Sequence, residues 1–278
     1  MRISRAFFYL FFLAFLSGNA QTGWFESQSK KGELSVSWGY NRTWFSNSDI
    51  KFTGIDYDFV LKSIVAKDRP TEIKADPYLN PSAFTIPQYN FRVGYYFKDK
   101  WAISFGVDHM KYVMENNQDA NISGYINTEN SVYQGEFDNE LINVSTDFLL
   151  FEHTDGLNYI NFESHYFDNL YRFNEKISIN YYGGGGLGVL FPKSNVKLMG
   201  FERNDTFHLA GMGFSAKAGL NLTLFKFFFL QTDFTTGYIN MWDILTRPQP
   251  NSDRASQDFV YGMWNWSLGG FIPLSSNK

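Results

Sequence analysis

The chain has 278 residues, no Cys, 24 Lys and Arg against 28 Asp and Glu, and 19% aromatic side chains. With only 8 Pro and 23 Gly it is neither disordered nor collagenous, and without Cys it holds no disulfide framework, thiol nucleophile or zinc ribbon. A mean hydropathy of −0.29 excludes a helical membrane bundle.

Residues 1–20 read as a secretory signal peptide. Arg2 and Arg5 make a positive start, Ala6 to Leu16 an apolar run, and Gly18-Asn19-Ala20 a small-residue cleavage site. The apolar run is shorter than the roughly 20 residues a spanning helix needs. Gln21 follows, so no lipidated Cys does. Cleavage removes two Arg and takes the net charge from −4 to −6. A net-acidic chain with no basic patch does not neutralise phosphates, so no nucleic-acid partner is expected.

Beyond Ala20 the recurring pattern is alternation of apolar and small polar residues, the period of a strand with unlike faces. Leu34, Val36, Trp38, Tyr40 and Trp44 alternate with Glu33, Ser35, Ser37, Gly39 and Asn41. Tyr89 to Phe97 alternates around Asn90, Arg92 and Gly94, and Trp101 to Val107 around Ala102, Ser104, Gly106 and Asp108. Further alternation runs through Phe214 to Leu224, Thr232 to Trp242 and Trp264 to Ile272. The polar face is Gly, Ser, Asn and Thr, which suits a narrow lumen better than a solvated surface. Trp and Tyr gather at strand ends, as at membrane interfaces.

Short turns at Lys98-Asp99-Lys100, Asn174-Glu175-Lys176 and Phe225-Lys226 alternate with long segments near 46–83, 116–156, 193–206 and 243–257. That asymmetry predicts an all-β, antiparallel transmembrane β-barrel with periplasmic turns and long extracellular loops. Eight strands are expected over about 33–45, 84–97, 101–115, 158–173, 176–191, 207–224, 228–242 and 258–274. Two loops carry strand-like runs, Ile55 to Lys62 and Leu141 to Phe151. Ten strands result if both cross the membrane; eight are preferred, with these runs as β-extensions above it.

Thr85 to Arg92, Gly106 to Tyr112 and Glu152 to Tyr159 resemble small outer-membrane β-barrel proteins of the Bacteroidota type. The resemblance covers nearly the whole chain after Ala20. It implies a fold and a location in the cell outer membrane, and no established activity. Phe271-Ile272-Pro273-Leu274 and four more residues end the chain, without the terminal aromatic of many barrels.

Gly183, Gly185 and Gly188 satisfy G-x-G-x-x-G, but Val189-Leu190-Phe191-Pro192 follows where a dinucleotide site needs a helix. The glycines instead relieve crowding in a bent strand, and no cofactor is expected. Matches to the N-x-S/T sequon, such as those at Asn41, Asn121 and Asn143, carry no weight in a chain this rich in Asn, Ser and Thr. Asp119, Glu129, Glu136 and Asp138 match no calcium loop, so no metal site is expected, although such acids could bridge lipopolysaccharide through a cation.

The candidate catalytic residues are His153, Asp155 and His109. His153 and Asp155 would share a face of an extended segment, with His153 as base and Ser145, Thr154 or Ser164 as nucleophile. The competing reading makes 152–156 a turn around Asp155-Gly156 and places His109 among lipid headgroups. Inward parity predicts two lumen charge pairs, Arg92 with Asp108 and Lys217 with Asp233. The second requires an odd-numbered turn near Phe225-Lys226. The leading function is structural, adhesive or partner-binding through the loops, with outer-membrane lipid, lipopolysaccharide and an extracellular or membrane protein as partners. A lipid-modifying hydrolase or acyltransferase and a small pore are the alternatives.

Overall fold

The computed structural model describes residues 23–26, 28–129 and 131–274, so the expected signal peptide lies outside the described residues. Alternation produces strands almost throughout. They are β1 (Gly23–Trp24), β2 (Glu33–Phe45), β3 (Ser48–Thr53), β4 (Tyr57–Ile64), β5 (Ala66–Asp68), β6 (Tyr89–Tyr96), β7 (Trp101–Met114) and β8 (Gln118–Ile126). There follow β9 (Gly135–Val144), β10 (Leu149–Asn174), β11 (Ile177–Leu190), β12 (Lys193–Leu198), β13 (Asn204–Phe207), β14 (Gly211–Leu224), β15 (Phe228–Leu245) and β16 (Arg254–Pro273).

Eight of them close a ring in the order β15-β14-β11-β10-β7-β6-β2-β16, with β16 pairing back onto β15. Every ring pair is antiparallel. Closure removes both sheet edges where the eight strands pair, so the ladder groups there find partners in neighbouring strands. From Leu268, opposite Trp38, the pairings lead through Phe91, Val107, Ile160, Val189, Met212 and Asn240 back to β16 at Asp258. That ten-residue stagger around the ring, with usual strand spacings, tilts the strands by about 40°.

Two strand starts and one expected turn differ from the sequence reading in ways that matter for the site. Residues 84–88 do not join β6, because the segment before Tyr89 leaves the sheet to lie against its outer face, Phe84 packing on Trp38 with ring centres 4.5 Å apart. β10 begins at Leu149, not near 158, and it runs straight through 152–156. The Asp155-Gly156 pair is therefore a bulge, seen as a register shift between His153 and Leu157 against β7, and not a turn.

At the short-turn end the segment before β2 crosses beneath the ring. Gly23 and Trp24 pair with Arg172 and Tyr171 of β10, and Lys30 N donates to Asp99 O. The Lys30 ammonium sits 3.8 Å over the Phe271 ring and 3.0 Å from Glu33.

At the opposite end the segments expected as long loops are largely strand. β3, β4, β8 and β9 extend the sheet from the upper part of β16, while β12, β13 and β5 add to β10 and β7. The Ile55 to Lys62 run falls mostly in β4; the Leu141 to Phe151 run is shared between the end of β9 and the start of β10. Their apolar faces meet over the ring. Phe52 packs on Phe151 with ring centres 6.0 Å apart, Phe59 on Phe148 at 5.9 Å, and Tyr112 on Phe259 at 5.1 Å. Ile50, Leu61, Ile122, Val196 and Leu198 complete a fully buried core. Each such side chain contributes about 1.5–3 kcal/mol by leaving water. This cap is a folded sheet structure and not a set of loops.

Candidate functional site

Three places hold the chemistry: the lumen, the cap core and the outer surface.

In the lumen, inward parity collects charged groups that must find partners. Arg92 Nη2 donates to both oxygens of Asp108, at 3.0 and 3.1 Å, and Nη1 donates to Asn161 Oδ1 at 2.8 Å. Asn90 and Asn161 donate to the same Asp108 carboxylate, at 2.6 and 2.8 Å. The pair is diagonal because Asn90 stands opposite Asp108 and Arg92 opposite Gly106.

The expected pair of Lys217 with Asp233 does not form. The turn between β14 and β15 has the required odd length, and both side chains are inward. Yet Lys217 stands opposite Thr235 and Asp233 opposite Gly219 and Asn265. Asp233 is filled locally, accepting from Tyr182 Oη at 2.6 Å, Asn265 Nδ2 at 2.7 Å and Thr235 Oγ1 at 2.9 Å.

Lys217 reaches instead to Glu163 on β10, at 2.9 Å, and Arg92 closes on the other Glu163 oxygen at 2.7 Å. Both contacts are close ion pairs without hydrogen-bond alignment. The space they use lies over Gly184 and Gly186 of β11. A Cβ at either glycine would strike the backbone of β10, at Ser164 and Phe162. Glu163 is the residue that sequence reasoning missed; a carboxylate at inward parity between Asn161 and His165 was its available signal. A cavity of about 40 Å³ beside Arg92, Glu163, His165 and Lys217 has room for a few waters and no more.

His153 points into the cap core between Tyr112 and Phe151, with ring centres 5.6 and 5.2 Å away. Its Nδ1 is 2.9 Å from Ser194 Oγ and its Nε2 is 3.3 Å from Gln257 Nε2. Burial holds its pKa down at about 3, so the ring is neutral in the folded chain. The bulge separates it from Asp155, which is exposed and bound to Lys193 at 2.9 Å. The Lys193 ammonium holds the Asp155 carboxyl below its ordinary pKa.

His109 lies elsewhere, its Nδ1 2.8 Å from Asn158 Oδ1 and its ring stacked on Tyr89. It is buried under that ring and does not face headgroups as expected from its parity. The three candidate catalytic residues are thus not assembled. Of the expected nucleophiles, Thr154 hydrogen-bonds Glu152 and Ser145 lies against Tyr133. Ser194 touches His153, but both are buried, and an amide faces the far nitrogen where a base would need an orienting carboxylate. Substituting His153→Gln or Ser194→Ala is expected to leave the lipid A profile of the outer membrane unchanged, as read by mass spectrometry. A lost acyl chain in either variant would show the pair to be catalytic.

Among the described residues no group of three or more His, Asp or Glu is placed to hold a metal ion. Asp119, one of the acidic candidates, accepts from Asn143 Nδ2 at 2.9 Å.

The outer surface decides the location. Ile103, Phe105, Phe162, Leu187, Phe214, Phe234, Trp264 and Leu268 all face outward and exposed around the ring. Trp101 packs on Tyr166 and Trp24 on Tyr171 at the short-turn end, while Trp44 and Trp242 are exposed toward the other. A soluble monomer does not carry an apolar band around its whole girth, and a bilayer requires one with aromatic borders. The ring is an outer-membrane β-barrel.

No protein-family model and no curated protein matches the sequence. Among solved structures, the chain is similar to Ail of Yersinia pestis, crystallised with the heparin analogue sucrose octasulfate, at TM-score 0.33 and 11% identity over 87% of this chain and 99% of Ail. It is also similar to OprG of Pseudomonas aeruginosa, at TM-score 0.41 and 9% identity over 89% of this chain and 99% of OprG. Neisserial surface protein A gives 0.36 and 11%, over 88% and 98%. At these scores and identities the location rests on the chain's own surface.

Proposed function

We propose that this outer-membrane barrel is a non-conducting scaffold that holds its cap outside the cell as a partner-binding platform. The orientation follows the usual rule that short turns face the periplasm and long connections the exterior. The observation that carries the reading is the solid apolar core above the lumen. Phe52, Phe59, Phe148, Phe151 and Phe259 fill the space a solute would cross, and the Arg92–Glu163–Lys217 cluster fills the lumen below it. An interior of eight strands is already only as wide as its side chains.

The cap is also better built than a gate would be. A sheet with its own core presents fixed side chains, and rigid presentation lowers the entropic cost of binding. Its outer surface exposes Ile55, Tyr125, Val132 and Leu141 beside acidic Asp56, Glu136 and Glu140, apolar contacts within a charged surround.

Protein reconstituted in planar bilayers is expected to show no stable conductance step. Cells displaying it should adhere to host-cell or extracellular-matrix surfaces, and the Ile55→Ser, Val132→Ser, Leu141→Ser variant should lose at least about tenfold of that adhesion while keeping its heat-dependent gel mobility. Large stable conductance, or adhesion that ignores the triple substitution, would overturn the reading.

A further inference from the structure

Two cations stand at lipid-facing parity on the outer wall, where charge is costly toward the bilayer midplane and nearly neutral only at its borders. Arg42 follows Trp38 and Tyr40 outward along β2, and Lys111 follows Val107 and His109 along β7. They flank one gap. β6, which separates β2 from β7 lower down, makes its last pair with β2 at Tyr40 and Tyr89. Above it β5 steps in, pairing with β7 and anchoring to β2 through Thr43 N, which donates to Asp68 Oδ2.

Neither cation has a carboxylate within 4 Å among the described residues, although neighbouring cations do. Arg69 is 3.0 Å from Glu152, and Lys193 is 2.9 Å from Asp155 and 3.4 Å from Asp205. Among the described residues the Lys111 ammonium hydrogen-bonds only Thr71 Oγ1, at 3.3 Å, and Arg42 donates to Asn41 O and Tyr78 Oη while lying over the Trp266 ring. Two acids act on Lys111 from beyond 4 Å: Asp155, which is bound to Lys193, and, behind both cations, Asp68. Its oxygens are taken by Thr43 N and by Gln88 Nε2 at 2.6 Å. An anion approaching from outside would therefore meet two cations, neither of them ion-paired to a carboxylate among the described residues.

The segment 69–88 completes the site. It lies along the outside of the wall, held by Tyr78 on Tyr40 and Phe84 on Trp38. Having spent its aromatic rings inward, it turns Ile73, Leu79 and Ile86 outward, 74%, 80% and 57% exposed. Those side chains continue the apolar band that already faces acyl chains. They have no protein to cover them, and the bilayer surface beside them supplies what does.

We propose that Arg42 and Lys111 bind the phosphate of a phosphorylated lipid whose acyl chains lie against Ile73, Leu79 and Ile86. The chemistry is two charge-assisted contacts on one phosphate, the guanidinium supplying a planar fork and the ammonium a point charge. The site sits at the border where headgroup phosphates lie. Its assignment to the outer leaflet rests on the orientation proposed above; the need for a phosphate does not.

Native mass spectrometry of the full barrel in detergent tests this with purified lipid A as the probe. Wild type is expected to retain phosphorylated lipid A at least about tenfold better than its dephosphorylated form. Inorganic phosphate at millimolar concentration should not displace it, since the acyl contacts are absent from the free ion. The Arg42→Gln, Lys111→Gln variant should lose the preference, whereas Lys51→Gln, Lys62→Gln in the cap should keep it. Equal retention of both lipid forms by wild type overturns the proposal without recourse to any variant. So does undiminished preference in a double variant of normal heat-dependent gel mobility. Conductance and cell adhesion do not enter these measurements, so the platform and the lipid site fail separately.

Discussion

Replacing Glu163 by Ala lowers the unfolding free energy of the barrel by about 3–5 kcal/mol, the range for removing one partner of a buried ion pair. Its side chain is 1% exposed, and it serves two cations, Arg92 and Lys217. Arg92 keeps Asp108 after the change. Lys217, 7% exposed, keeps no carboxylate within 4 Å among the described residues. Urea titration in lipid vesicles with linear extrapolation reads the loss directly. The double change Glu163→Met, Lys217→Met removes that pair together, leaves Arg92 on Asp108, and is expected to cost far less than Glu163→Ala alone, because no charge is stranded. A loss below about 1 kcal/mol for Glu163→Ala would mean that water in the 40 Å³ cavity solvates these charges separately.

Acid destabilises the cap through His153. Its folded pKa, about 3, lies below the ordinary histidine value of 6.5, so the unfolded chain takes up the proton first. Stability contributed by the neutral ring is fully present above pH 6.5 and is lost as pH falls toward 3. Within that window each pH unit costs about 1.4 kcal/mol, or roughly 3 kcal/mol by pH 4. Carboxylates elsewhere titrate in the lower part of the same window, so the informative quantity is a difference. His153→Gln retains an amide that can meet Ser194 and removes the titration. Its unfolding free energy should fall less steeply than wild type between pH 6.5 and 4. Parallel slopes for the two proteins would show that His153 is accessible to protons in the folded cap.

Much of the barrel was legible because strand parity is a local property. Trp38 and Tyr40 against Ser37 and Asn41, or Phe105 against Ser104 and Gly106, already say which side meets lipid and which meets lumen. The same parity put Arg92 and Asp108 in the lumen, one diagonal step apart. What parity does not carry is register across several strands. Lys217 and Asp233 share a face, yet Tyr182, Thr235 and Asn265 satisfy Asp233, and Lys217 reaches across the glycines of β11 to Glu163.

The site residues divide along the same line. Whether His153 and Asp155 share a face depended on the backbone between them being regular. The bulge before Leu157 turns one into the cap core and leaves the other at the surface. The gap between Arg42 and Lys111 likewise arises only because β6 ends early and β5 takes its place. By itself the sequence determined strands, facing and the short-turn and long-connection ends, all fixed by nearest neighbours along the chain. The tertiary structure alone decided that the long connections fold into a dry cap and which charge meets which. Those outcomes depend on contacts between segments far apart in sequence, where the energy of burial chooses among many locally equivalent pairings.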